Sequence, residues 1–294
     1  MLRAADGPGQ TVAGPPVQKI VQEIMISRTA QAPSLRRTLS GLRRYRHLLR
    51  NLVLKDLKLK YRGSVVGFLW SLANPILMGV VYTVAFTSIL RIHNQGFVFY
   101  LMLGLLAWTF FASSVGMSTG AIADNGGLVK SVWFPRAILP TATVLFNLTQ
   151  YLLSVSVILP LMLLYYRVTP EAPMLLFPVF VFLQLLFTIG VALILATSAA
   201  FLRDVRHLVE IAITILFWTT PIVYELSSLT NPALRRVLFF SPMTPYVSAY
   251  QEIFYYRHWP DAAIWATTLG YAVAALALGL WLIVRNEDSF AERV

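Results

Sequence analysis

The sequence predicts an all-α membrane protein. It has six transmembrane helices per subunit, an N-terminal amphipathic interfacial helix, and short re-entrant helices in the outer loop between spans five and six. Three observations carry this reading. Hydrophobic residues make up 57% of the chain and charged residues only 13%, where an average soluble domain has roughly a quarter charged. Apolar runs long enough to cross a bilayer follow one another with few charges inside them. Of the 24 Lys and Arg residues, thirteen precede Ser64, so the net charge of +11 is gathered beside the first apolar run and reads as a membrane-surface charge rather than a nucleic-acid footprint.

Residues 1–35 are expected to form a mobile cytoplasmic tail, because Gly, Pro, Gln and Ala scatter there without periodicity. The basic start, apolar block and small-residue cleavage site of a secretory signal are missing from the first thirty residues. Residues 36–64 carry the interfacial helix. Leu42, Tyr45, Leu49, Leu52, Val53 and Leu57 recur at three and four residues, with Arg43, Arg44, Arg46, Arg50, Lys55 and Lys58 between them. Asp56 and Lys60 are spaced for an i,i+4 ion pair.

Residues 65–294 form the transmembrane domain, with spans at about 66–90, 97–117, 139–165, 174–201, 208–224 and 263–284. The basic block before span one sets the N-terminus inside, and an even number of spans returns the C-terminus to the cytoplasm. Nineteen basic residues then lie inside and five outside (Arg91, Arg167, Arg235, Arg236 and Arg257), a bias that decides the orientation. The inner loop DNGGLVKSVWFPRAILP, 124–140, places a Gly-Gly turn before a short amphipathic helix running up to Pro135. The outer stretch 225–261 mixes Leu238, Phe239, Phe240, Tyr246, Phe254, Tyr255 and Tyr256 with Pro242 and Pro245. That composition suits short re-entrant or interfacial helices covered by protein or water.

Several chemistries lack their residues. The chain has no cysteine, which removes disulfides and cysteine-ligated metal sites. No ionisable side chain lies at the centre of a predicted span; Asp204, Glu210 and all four histidines (His47, His93, His207 and His258) fall in flanks or loops. GGLVKS, 126–131, lacks the Gly-Lys-Ser/Thr junction of a phosphate loop. GMSTG, 116–120, closes an apolar helix where a nucleophile elbow needs a strand-to-turn, and reads as small-residue helix packing. Neither HExxH nor Asp-x-Asp is present, and no metal site is expected. Asn147, Thr149, Gln150 and Gln184, inside spans, are expected to hydrogen-bond between helices.

The run LKDLKLKYRGSVVGFLWSLANPILM, 54–78, resembles the start of the ABC-2 type permeases that export O-antigen, capsule, teichoic acid and related cell-wall glycans. The match lies in a basic-Asp-Leu step, then Lys60-Tyr61-Arg62, Gly63-Ser64, Gly67, Leu69-Trp70 and Asn74-Pro75, in order and spacing. VKSVWFPRAILP, 129–140, is similar to the family's coupling segment, and RDVRHL, 203–208, to the segment before span five, so the likeness covers about residues 45–294.

The resemblance implies a homodimer in the bacterial inner membrane, served by two copies of a separate ABC ATPase subunit. That partner binds ATP and Mg, so this chain carries no cofactor and no catalytic residue of its own. The implied cargo is a lipid-linked polysaccharide, O-antigen-like or a cell-wall galactan. On this reading the ATPase contact comprises Leu128, Lys130, Ser131, Val132, Trp133, Phe134, Pro135 and Arg136, with Arg203, Asp204 and Arg206 as a second patch. A glycan passage favours aromatic rings over fixed charges, and Tyr82, Phe86, Tyr100, Trp108, Phe111, Phe217, Trp218 and Tyr224 are the candidates for its wall. Arg44, Arg50, Lys55 and Arg62 on the interfacial helix are candidates for a lipid pyrophosphate or the lipid surface. Three alternatives stand beside this reading: an ABC-2 permease for a small drug or lipid, a membrane-embedded glycan-lipid transferase, and a secondary transporter.

Overall fold

The computed structural model describes residues 44–62, 69–85, 96–131, 134–202 and 204–290. The tail at 1–35 and the Gly63–Gly67 part of the motif lie outside them. Every regular element among the described residues is helical. In chain order these are α1 (Arg46–Tyr61), α2 (Leu69–Thr83), α3 (Phe97–Thr119), α4 (Gly126–Ser131), α5 (Ile138–Tyr165), α6 (Phe177–Phe201), α7 (Val205–Thr219), α8 (Pro232–Phe239), α9 (Thr244–Gln251) and α10 (Ala262–Arg285). A 3₁₀ turn, Ala172–Leu176, leads into α6, and a π-helical turn, Glu252–Tyr256, follows α9.

Among the described residues four helices are long and apolar enough to cross a membrane: Phe97–Thr119, Ile138–Tyr165, Ala172–Phe201 and Ala262–Arg285. None contains Asp, Glu, Lys, Arg or His except Arg285 at the last position of α10. Their burial differs and sorts their places. The apolar window of α3 is 78% buried inside the subunit, against 28% for α5 and for α10, so α3 is the central post and the other two present much of their apolar surface outward, as lipid-facing helices do.

α7 is shorter than its hydropathy suggests. At 1.5 Å per residue its fifteen residues extend about 22 Å, short of the roughly 30 Å of a hydrocarbon core. It stops because Pro221 follows: the residue before proline is driven out of the helical region, and Thr220 is extended at φ −93°, ψ 133°. The span expected at 208–224 therefore ends as a helix at Thr219.

Two kinds of contact join the helices. Small residues allow close approach of α6 and α10, where a Cβ on Gly190 would overlap the Ala275 and Leu276 backbone and one on Gly279 would overlap the Gly190 carbonyl. Buried polar side chains add hydrogen bonds across helices. Gln184 on α6 donates from Nε2 to the Ala107 carbonyl of α3 at 2.9 Å and accepts from the Tyr250 hydroxyl of α9 at 2.8 Å. Gln150 accepts from the Tyr61 hydroxyl of α1. Thr149 instead bonds back to Leu145 within its own helix. Asn147 bonds back to Thr143 and reaches only the Met117 sulfur across the gap, because β-branched and short polar side chains find the preceding turn's carbonyl first.

α9 is the most buried element of the stretch 225–261. It has only eight residues, yet Tyr246, Val247, Ala249 and Tyr250 are essentially fully buried against α3, α6 and α10. Tyr246 donates to the Thr268 carbonyl of α10 at 2.7 Å, so each phenol entering the core brings its own partner.

Candidate functional site

A second apolar cluster closes one end of the bundle. Ile122, Ile138 and Phe290 are fully buried there, with Val129, Phe134 and, from α1, Leu52 beside them. The cluster fixes the segment between α3 and α5. The chain leaves α3 through a 3₁₀ turn, Ala123–Asn125, in which Asn125 Nδ2 donates to the Ala121 carbonyl. The reversal is made there, and the Gly-Gly pair expected to form the turn lies inside α4 with helical backbone angles at Gly126. That corrects the predicted turn.

Within this segment the predicted ATPase-contact residues divide. Val129 points into the cluster, while Lys130 and Ser131 are exposed and Leu128 is half-buried. Phe134, Pro135 and Arg136 are buried. Phe134 is 1% exposed, and Arg136 wraps it, donating from Nη1 to its carbonyl at 3.0 Å with the guanidinium 5.0 Å from its ring. Burial lowers the Arg136 pKa from its ordinary value, and the Glu287 carboxylate opposes that shift. Val132, Trp133 and Arg203 lie outside the described residues. Asp204 and Arg206, the second patch, are exposed.

Arg206 joins the two patches. Its Nη2 donates to Asp124 Oδ1 at 2.6 Å, across the gap from the start of α7 to the turn before α4. Gly120 makes room: a Cβ there would overlap the Asp124 carboxylate and press on the Arg206 guanidinium. Neither Asp124 nor Phe290 was singled out from the sequence. Opposite charges flanking two spans were the available signal for the ion pair; no local pattern marked Phe290.

The aromatic candidates also divide. Tyr100, Trp108 and Phe111 are buried within the subunit: Phe111 stacks on Phe187 at 5.5 Å and Trp108 meets Phe217 edge-on at 5.6 Å. The Tyr100 hydroxyl holds the Pro221 and Tyr224 carbonyls at 3.2 and 3.0 Å. Tyr82, Phe217 and Tyr224 are half-buried and Trp218 is exposed, with Tyr82 stacked on Phe217 at 5.9 Å and Trp218 edge-on to it at 5.4 Å. Phe86 lies outside the described residues.

On α1, Arg44, Arg50, Lys55 and Arg62 are all exposed, while Leu52 is buried and Leu48, Leu49 and Val53 pack partly on the second cluster. The apolar stripe of this helix thus faces protein. Asp56 pairs with Lys55 at 3.2 Å rather than with Lys60, whose ammonium sits 5.8 Å over the Phe146 ring of α5. Lys60 is exposed but turns its ammonium toward α5, and that corrects the i,i+4 expectation.

A family model described as ABC-2 type transporter matches residues 47–255. A protein named O-antigen export system permease protein RfbA from Myxococcus xanthus is 36% identical over 259 residues, 88% of this chain and 99% of that relative. A Klebsiella pneumoniae protein of the same name is 30% identical over 201 residues, 68% of this chain and 77% of that relative.

Proposed function

The chain belongs to the ABC-2 type transporter family, and from that premise we propose that it is the permease subunit of an ATP-driven exporter that moves a lipid-linked polysaccharide out of the cytoplasm. The observation that carries the substrate class is the 36% identity over nearly the full length of a permease named for O-antigen export. The four apolar helices, which hold no charge away from their ends, agree with it, because a proton-coupled carrier or membrane transferase needs ionisable groups at depth.

The chain acts as a homodimer in the bacterial inner membrane with both termini cytoplasmic, α2 and α7 completing six spans and α8 and α9 forming the outer re-entrant segment. Two ATPase subunits bind ATP and Mg and dock on Leu128, Lys130, Ser131 and the Trp133 region, with Asp204 and Arg206 as the second patch. Phe134 and Arg136 hold that surface from beneath. Closure of the ATPases moves α4, and the Asp124–Arg206 pair passes the motion to α7 as a rigid-body shift. Tyr82, Phe217, Trp218 and Tyr224, which keep exposed ring surface, meet the sugar chain, backed by Tyr100, Trp108 and Phe111. Arg44, Arg50, Lys55 and Arg62 receive the pyrophosphate end.

Deleting the gene tests this reading. Lipid-linked glycan should accumulate in the cytoplasm while its synthesis continues, and the intact gene should restore surface display. Normal surface glycan together with new drug sensitivity would instead identify a small-molecule permease.

A further inference from the structure

Beside the C-terminal end of α7 lies a cavity of about 630 Å³, outside the coupling assignments and sharing only Tyr100 with the aromatic ones. One wall is α8, which contributes Arg235 and Arg236; Glu252 and Tyr256 come from the π turn opposite, Glu225 from the segment after α7, and Asp261 from the cap of α10. The walls are pinned. Gln251 Nε2 and the Tyr100 hydroxyl both donate to the Pro221 carbonyl, Asn231 caps α8 through its side chain, and the Tyr271 hydroxyl holds the Phe240 carbonyl at 2.8 Å. A cavity of this size with convergent polar groups has the dimensions of a ligand site.

The lining narrows the ligand class. Three carboxylates disfavour an inorganic anion, two guanidiniums disfavour a simple cation, and no metal-binding group of His, Cys, Asp or Glu occurs among the described residues. Carboxylate acceptors, guanidinium donors and phenol rings on one wall set match a molecule that offers donor and acceptor at each hydroxyl and a non-polar face between them. Glu252 is the most telling member. Burial pushes its carboxyl up from the ordinary range and His258, with Nδ1 at 3.8 Å, pulls it partly back, so a hydroxyl donor at Glu252 would replace hydration already lost.

We infer that this cavity is a saccharide-binding subsite, in which hydroxyls of the exported glycan meet Glu225, Glu252 and Arg235 while Tyr256 packs against a sugar face. The inference rests on the export reading and adds a resting place for the chain beside the outer end of α7, where sugar units would be held between power strokes.

The cysteine-free sequence offers a direct test on the complete permease–ATPase complex in lipid nanodiscs. Ser227 lines the cavity and is exposed, so a Ser227→Cys variant can be labelled with maleimide in the presence of polysaccharide released by mild acid from the host envelope. Saturating glycan should slow labelling about tenfold, and adding Glu252→Gln should raise the concentration needed by about tenfold, the loss expected for one charge-assisted hydrogen bond. A Thr169→Cys control, at an exposed position outside the cavity lining, should label at an unchanged rate. Arg235→Gln gives a second variant should the first disturb assembly. Unprotected Ser227→Cys in a complex that exports its glycan overturns the subsite alone, as does equal protection by inorganic phosphate; a deletion strain that displays glycan normally overturns the export reading itself.

Discussion

Phe134 and Asp124 act through opposite physics at the same end of the bundle. Phe134 is a core residue, 1% exposed between Arg136 and the second apolar cluster. Phe134→Ala should therefore cost about 3–5 kcal/mol, as other buried aromatic truncations do, and should appear as a lower melting temperature of the purified protein before any change in coupling; an unchanged melting temperature would contradict its place in the core. Asp124 and Arg206 are exposed, at 60% and 44%, so their pair adds at most about 1 kcal/mol to stability and its value lies in linking α4 to α7. Asp124→Arg should leave ATPase activity in place and reduce export, and the reciprocal change Arg206→Asp in the same chain should restore it. A double variant no better than either single one would remove the link. Tyr250→Phe, which takes the donor from buried Gln184 Oε1, should lower stability by about 1–2 kcal/mol in the same melting assay.

At the scale of elements, long apolar helices were legible because length and hydropathy are properties of one segment. α3, α5, α6 and α10 fall within a few residues of their predicted bounds. The predicted fifth span ran through Pro221 because hydropathy stays high to Tyr224; the proline that ends α7 was the signal that mattered. α9 was harder to read. Its TPYVSAYQ sequence has the polar-aromatic character of an interfacial segment, and its burial depends on acceptors at Thr268 and Gln184, which lie on other helices and leave no local trace. Gly190 and Gly279 were invisible for the same reason, since a glycine in an apolar run shows its purpose only once a second backbone is known. Gly190→Ala should destabilise the α6–α10 pair by about 1–3 kcal/mol, read as earlier proteolysis or melting; a neutral result would mean that the two helices can separate without loss. In the segment proposed to contact the ATPase the residue types were readable, but not which of them face the cluster, because buried Phe134 lies outside the short helix that carries exposed Lys130.

At the scale of the whole molecule, the sequence and structure agree on a bundle whose membrane-length helices hold no charge away from their ends, with basic residues concentrated on α1 beside it. On the proposed reading, the work of moving a large polar chain comes from an ATP-hydrolysing partner docked where α4 and the start of α7 meet, and the membrane-length helices among the described residues offer no charged group to carry an ion instead. In the proposed function the exposed basic row Arg44, Arg50, Lys55 and Arg62 receives the substrate's charged end. The most direct test is reconstitution of the purified permease in sealed vesicles, with lipid-linked polysaccharide in one leaflet. Translocation should require both the ATPase subunit and ATP and should be indifferent to an imposed proton or sodium gradient. Translocation by the permease alone, driven by such a gradient, would contradict the account.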